Sequence, residues 1–379
     1  MNKKDLSNVR KHFKIDSERL NIGNIYNIYC KGDKKKVLYA KKEAFPMLDE
    51  DIQEMYLKNF KKVITGTIDN KIFELEFNED TREHYQNHLL DLLNNRLNTE
   101  DVNVLVSNLL EEYRYDTDVL ISLINCKVVI PIKNKKTDEV DEENDYSYEF
   151  VMCCVNKVQF NTPNLTLDVL EKEIKLDSNL TELAIKNPIE GFVYPVYSEG
   201  YVDVNKVLYN TSKANTLNLS FLKNVIGCKD KLTAQQEKEI FNTVLTSALG
   251  SKVSADKLHE VYEGLMVINA DEDNKISETI SIKDLDRVLK AQGINELDTL
   301  KSTLKNSDID AEDFDFKVDN IVPQKSKAIK IKNNNVEISL SAKELSKIKQ
   351  VNNNGRKCLV IELEDDVDIE GFKLESESL

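Results

Sequence analysis

A chain of 379 residues with 40% hydrophobic and 31% charged side chains is long enough for two or three domains at about 100 to 200 residues each, and its 11 glycines and 6 prolines give no sign of long flexible linkers. The net charge of −15 repels a phosphate backbone at long range and argues against a general nucleic-acid coat protein. The opening twenty residues hold no apolar signal core, no run approaches the roughly 18 apolar residues of a membrane helix, and the six cysteines are scattered, so a cytoplasmic protein with reduced thiols and no membrane contact is expected.

In chain order, Leu6, Val9 and Phe13 recur at helical spacing, and the alternating runs NIYNIYC and KKVLYAKK follow as the arms of a β-hairpin. KGDKKK, residues 31 to 36, forms the turn between them. Residues 1–62 hold 15 Lys and Arg against 9 Asp and Glu, a local balance of +6 in a chain whose remainder carries −21. Lys31, Lys34, Lys35, Lys36, Lys41 and Lys42 are therefore candidates for a nucleic-acid contact, with a solvated hairpin turn as the plainer account. Ile52, Tyr56, Phe60 and Val63 mark a helix with acids in its first turn and lysines in its last. Phe73, Leu75 and Phe77 then alternate as a strand after an Asp69-Asn70 turn.

Two more helices are predicted, one through Tyr85, His88, Leu89, Leu92 and Arg96, the next capped by Asn98 or Thr99 and carrying Val102, Leu105, Val106, Leu109 and Tyr113. VLISLINCKVVIPI (119–132) and YSYEFVMCCVNKVQF (146–160), rich in β-branched and aromatic residues, read as a long hairpin with an acidic tip. PIEGFVYPVYSEGYVDVNKVLY (188–209) is an unusual aromatic cluster: its prolines oppose helix, Gly191 and Gly200 permit turns, and Phe192, Tyr194, Tyr197 and Tyr201 offer stacking or packing faces. Helices dominate from 217 to about 305, with Thr233 capping QQEKEIFNTVLTSAL, and short strands with one short helix follow Pro323. The predicted class is α+β: a main domain of helices and antiparallel sheet over 1–225, a helical section over 226–305, an acidic linker over 306–322, and a small β-rich domain over 323–379.

Chemistry-bearing motifs are scarce. Asp271 and Asp273 alternate like the first ligands of a calcium loop, but Lys275, Ile276 and Ile282 stand where a third oxygen, the turn glycine and the bidentate glutamate are needed. His84 and His88 share a helix face without the glutamate of the zinc-protease signature, since Tyr85 follows the first histidine. No glycine-rich phosphate cradle and no nucleophile elbow occurs. Cys153 and Cys154 are neighbours on a strand, so they point to opposite faces and read as core fillers. No catalytic residue, metal site or cofactor is assigned.

Several segments together resemble an uncharacterised bacterial family known as a domain of unknown function. They are NKKDLSNVRKHF, GTIDNKIFELEF, YSYEFVMCCVNKVQFNTPNL, NPIEGFVYPVYSEGYVDVNKVLYNT, IGCKDKLTAQQEKEIFNTVL, ISIKDLDRVLKAQGI and the closing IVPQKSKAIKIKNNNVEISLSAKELSKIKQVNNNGRKCLVIELEDDVDIEGFKL, in order along nearly the whole chain. The resemblance implies no activity. At fold level, the order of α+β body, helices and β-rich tail also looks faintly like bacterial nucleoid-associated proteins. The function expected from these readings is non-enzymatic binding or scaffolding with a protein partner or a second copy, through Phe192, Tyr194, Tyr197 and Tyr201. Nucleic-acid association through the N-terminal lysines is the alternative.

Overall fold

A computed structural model describes residues 2–112, 115–131, 145–160, 165–168, 172–176, 183–198, 200–268, 278–307, 309–323, 328–365, 367–369 and 372–373. The chain divides into two compact units, Met1–Thr233 and Ala234–Leu379.

The first unit runs α1 (Lys3–Arg10), β1 (Leu20–Lys31), β2 (Lys36–Ala44), a 3-10 turn (Phe45–Met47), α2 (Glu50–Val63), β3 (Ile72–Glu76), α3 (Arg82–Asn94) and α4 (Thr99–Glu111). It continues through β4 (Asp118–Ile130), β5 (Tyr146–Phe160), β6 (Leu165–Asp168), β7 (Glu173–Leu176), β8 (Leu183–Tyr194), β9 (Val196–Ser198), β10 (Tyr201–Asp203), β11 (Lys206–Thr211) and α5 (Leu219–Asn224). Seven strands form one antiparallel sheet in the order β2-β1-β4-β5-β8-β11-β3. The predicted long hairpin is its centre: β4 and β5 pair without a break from Asp118 opposite Val158 to Ile130 opposite Tyr146.

Helices cover both faces of this sheet, which is why its central strands are apolar on both sides. On one face, residues of α3, α4 and α5, including Leu89, Leu92, Leu105 and Phe221, pack with Phe73, Cys153, Phe192 and Tyr209. On the other, Leu6 and Val9 of α1 and Leu57, Phe60 and Val63 of α2 pack with Ile124, Phe150 and Cys154. The neighbouring cysteines thus belong to opposite cores, and all six cysteines are free, with only Cys358 not fully buried. Burial pushes the Cys153 and Cys154 thiols above the ordinary range, which removes the thiolate that alkylation needs. In the native protein a thiol reagent should label Cys358 first and leave Cys153 and Cys154 untouched until denaturant is added; early label on both core thiols, read by mass spectrometry, would contradict the fold.

Local signals set several element ends. Asn2 caps α1, accepting from the Lys4 and Asp5 amides, and Asp5 returns the bond. Asn98 caps α4 by accepting from Asp101 N at 2.7 Å. Three expectations need correction. Ile52 is 44% exposed rather than part of a buried stripe, because α2 buries Leu57, Phe60 and Val63 instead. Arg96 lies past the end of α3, where Arg96 and Leu97 take left-handed backbone, φ 49° and 57°, and Leu97 turns back into the core. Gly191 is no turn but lies within β8, opposite Cys154. Tyr113 and the acidic hairpin tip, 132–144, lie outside the described residues.

The second unit holds α6 (Ala234–Leu249), α7 (Ala255–Ile268), β12 (Thr279–Ser281), α8 (Ile282–Ala291), α9 (Leu297–Lys305), β13 (Asp315–Lys317) and α10 (Val318–Ile321). Phe241, Val244, Val261, Leu265, Leu285, Leu300 and Phe316 form its core. α6 begins directly after Thr233, and its buried Glu237 accepts from the Lys317 amide and from Asn320 Nδ2. The acidic stretch 306–322 thus contributes β13, α10 and two side chains without exposed surface, Phe316 and Ile321. Three hairpins follow, β14 (Ala328–Lys332) with β15 (Glu337–Ser341), β16 (Ile348–Asn353) with β17 (Arg356–Ile361), and β18 (Asp368–Ile369) with β19 (Phe372–Lys373), the first two joined by a 3-10 segment, Ala342–Lys347. The α+β class is therefore as read from the sequence.

Candidate functional site

The structure does not bring Phe192, Tyr194, Tyr197 and Tyr201 to one surface. Phe192 and Tyr194 stand on β8, a central strand under helices on both sides, and have no exposed surface. Phe192 rests against Phe221 with ring centroids 6.4 Å apart, and Tyr194 meets Phe77 edge-on at 5.8 Å while donating its hydroxyl to the Val204 carbonyl at 3.0 Å. Tyr197 is 6% exposed, between Tyr146 and Tyr148. Tyr201, opposite Ser198 in the β9–β10 ribbon, is 61% exposed. The sequence signal for burial was the run GFVYPVY itself, which has no polar residue at alternate positions.

The six N-terminal lysines are likewise dispersed. Lys31 is held by Asp118 at 2.9 Å, and the same carboxylate accepts from Tyr29 Oη and the Gly32 amide. Lys34, Lys35 and Lys36 project from the turn into solvent. Further along β2, Lys41 pairs with Glu43 at 2.6 Å, whereas Lys42 reaches to the other side of the sheet and donates to the Arg96 and Leu97 carbonyls at 2.8 and 2.9 Å. Half of the set is tied down within the unit. A stripe tracking a nucleic-acid backbone would need them free and on one face.

The surface the sequence reading missed is the margin formed by β2, the 3-10 turn and the start of α2. Leu38, Tyr39, Met47, Ile52 and Met55 are all exposed there, Met47 at 86% and Met55 at 60%. Three consecutive elements thus present large apolar side chains to water, among them two methionines, whose flexible thioethers adapt to varied partners. Met55 falls outside the Tyr56, Phe60, Val63 stripe, whereas Ile52 is in register with it and only the structure places it in water.

Inside the first unit lies an unusual buried acid. Glu190 is 2% exposed and accepts from Tyr115 Oη, from Tyr209 Oη at 2.5 Å and from Asn218 Nδ2 at 2.9 Å. Asn218 also caps α5 through Phe221 N. Burial pushes the Glu190 carboxyl above its ordinary range against the opposing pull of these three donors, and the same burial raises both tyrosines. The three donors satisfy the carboxyl, which ties β8, β11, the approach to β4 and α5 together.

His84 stands edge-on to Tyr85, and the His88 ring is pushed to lower pKa by burial. Among the described residues no three His, Cys, Asp or Glu side chains gather as a metal site, and Asp271 and Asp273 lie outside those residues. A cleft of about 230 Å³ opens beside Arg82, Asn205, Lys206 and Lys229. Its lysines are matched by the protein's own acids, Lys206 by Glu74 at 2.8 Å and Lys229 by Glu79 at 2.7 Å. No helix of the described residues is long and apolar enough to cross a membrane.

Fold and surface define a class: an α+β protein whose broad antiparallel sheet is covered on both faces and carries an exposed apolar margin. The chain belongs to the family described as Domain of unknown function (DUF4317), whose family model matches residues 1–372. No curated protein and no solved structure matches it.

Proposed function

We propose that the chain is a non-enzymatic interaction protein of the cytoplasm, and that its contact surface is the sheet margin where β2 meets the start of α2. The observation that carries this reading is the joint exposure of Leu38, Tyr39, Met47, Ile52 and Met55 on consecutive elements, since clustered exposed apolar side chains mark contact surfaces more often than scattered ones do. The partner is a protein: the surface combines apolar side chains with lysines, and the lysines are too dispersed to follow a phosphate backbone. Five buried free thiols support a reducing compartment.

The test is a photo-reactive phenylalanine analogue placed singly at positions 39, 47, 55 and 201 of the full chain and irradiated in cells. One identified protein should be cross-linked from 39, 47 and 55, and Ile52→Asp with Met55→Asp should abolish the adduct while leaving the melting temperature unchanged. Cross-links from 201 alone would return the contact to the aromatic segment and overturn the reading.

A further inference from the structure

We propose that β2 is an acceptor edge on which the partner lays an extended acidic segment as an eighth strand of the sheet; this rests on the interaction reading above and names the partner's chemistry. The sheet treats its two edges differently. At β3 the chain closes its own edge: the Ile72 carbonyl accepts from Asp69 N at 2.7 Å, the Glu74 carbonyl from Lys231 Nζ at 3.2 Å, and the Glu76 carbonyl from Lys229 N at 2.8 Å. Beyond the strand, Phe77 bridges Cys228 and Asn78 N donates to the Gly227 carbonyl. Along β2, by contrast, no backbone group from Lys36 to Ala44 bonds to any described segment other than β1. Such an edge is a template for one more strand.

The side chains say which strand. Tyr29 faces Tyr39 and Cys30 faces Val37, so Leu38 is a bulge and the regular edge is Tyr39–Ala44. Residues paired with the α2-side core, Tyr39, Lys41 and Glu43, share one face; Ala40, Lys42 and Ala44 share the other. A second copy of β2 is a poor fit. Antiparallel self-pairing centred on Tyr39 sets Lys36 against Lys42, and centring on Lys41 or Lys42 sets each against itself, which destabilises the pair. Centring on Ala40 avoids this but meets the bulge after three residues. An acidic strand turns each of these lysine contacts from repulsive to attractive, at the cost of one acid facing Glu43. A carboxylate opposite Lys41 competes for an ammonium that, among the described residues, pairs with the half-exposed Glu43, and further acids reach Lys36 and the turn lysines. On the other face Lys42 is folded back onto Arg96 and Leu97, which leaves the small Ala40 and Ala44 to accept apolar side chains. The predicted partner segment alternates acidic and apolar residues.

The experiment is hydrogen exchange of the full chain with a synthetic peptide alternating Glu and Val, beside the same peptide interrupted by proline and one alternating Lys and Val. The Glu-Val peptide should slow the amides of Tyr39–Ala44 by about tenfold or more, and neither control should. Lys36→Glu with Lys41→Glu should weaken its binding about tenfold or more. No protection of β2, equal protection by the Lys-Val peptide, protection growing with protein concentration alone, or protection by a single-stranded oligonucleotide instead would overturn the proposal. If the cross-links from 39, 47 and 55 persist while β2 stays unprotected, only the acceptor-edge proposal falls; if they vanish too, the interaction reading falls with it.

Discussion

Adding one methyl group at Gly191, as Gly191→Ala, is expected to destabilise the first unit by about 3 kcal/mol or more, the upper range for overpacking a core. An added Cβ would stand 2.4 Å from the Cys153 carbonyl oxygen and 3.0 Å from both Cγ atoms of Val63. The first is backbone of the neighbouring strand, fixed by its ladder, so it cannot step aside as a flexible side chain would. The second is α2, which crosses the sheet closely here over a row of small groups: Asn27, Ser122, Cys154 and Gly191 are cross-strand partners in succession. Val63→Ala should therefore relieve only the helix side, and the double variant should recover little. Urea titration of both proteins measures this, and a midpoint for Gly191→Ala equal to that of the parent would refute the close approach.

Glu190→Ala is expected to cost about 3 to 5 kcal/mol, because it leaves the Tyr115, Tyr209 and Asn218 donors buried without their acceptor, at about 1 to 3 kcal/mol for each one left unmade, and opens a void. Glu190→Gln keeps an acceptor and should cost less. The two carboxyl states give a second, independent readout. The folded carboxyl is raised by burial, so on going to higher pH the unfolded chain releases its proton first. The stabilising contribution of the group is full below the unfolded value, about 4.3, and is lost as pH rises through the higher folded value. The groups facing it are Tyr115, Tyr209, Cys153 and Asn218, none of which supplies a positive charge to reverse that sign. The difference in unfolding free energy between the parent and Glu190→Gln should fall as pH rises across this window; acids held low by lysines, such as Glu74 and Asp118, add the opposite slope to both proteins and cancel in the difference. A difference that stays constant with pH would show that Glu190 does not carry the dependence.

Much of the fold was legible because periodicity is local. Leu89 and Leu92 on α3, the stripe on α4, the alternation of Phe73, Leu75 and Phe77, and the β4–β5 hairpin all follow from spacing between near neighbours. The cysteine pair was legible for the same reason, since adjacent residues on any strand must part to opposite faces. The acidic 306–322 was harder: its charge dominates the composition, yet Phe316 and Ile321 decide its place in a core.

What the sequence by itself determined is the class, the family and the local elements, each set by side-chain period, caps and turn residues within a few positions of one another. Tertiary structure alone decided which strand is central and which is an edge. That choice buried Phe192 and Tyr194, exposed Tyr39, turned Gly191 from a turn residue into a contact between strand and helix, and gathered Tyr115, Tyr209 and Asn218 onto Glu190. Exposure depends on what is stacked above a residue, and those layers come from segments far away in the chain, where no periodicity reaches.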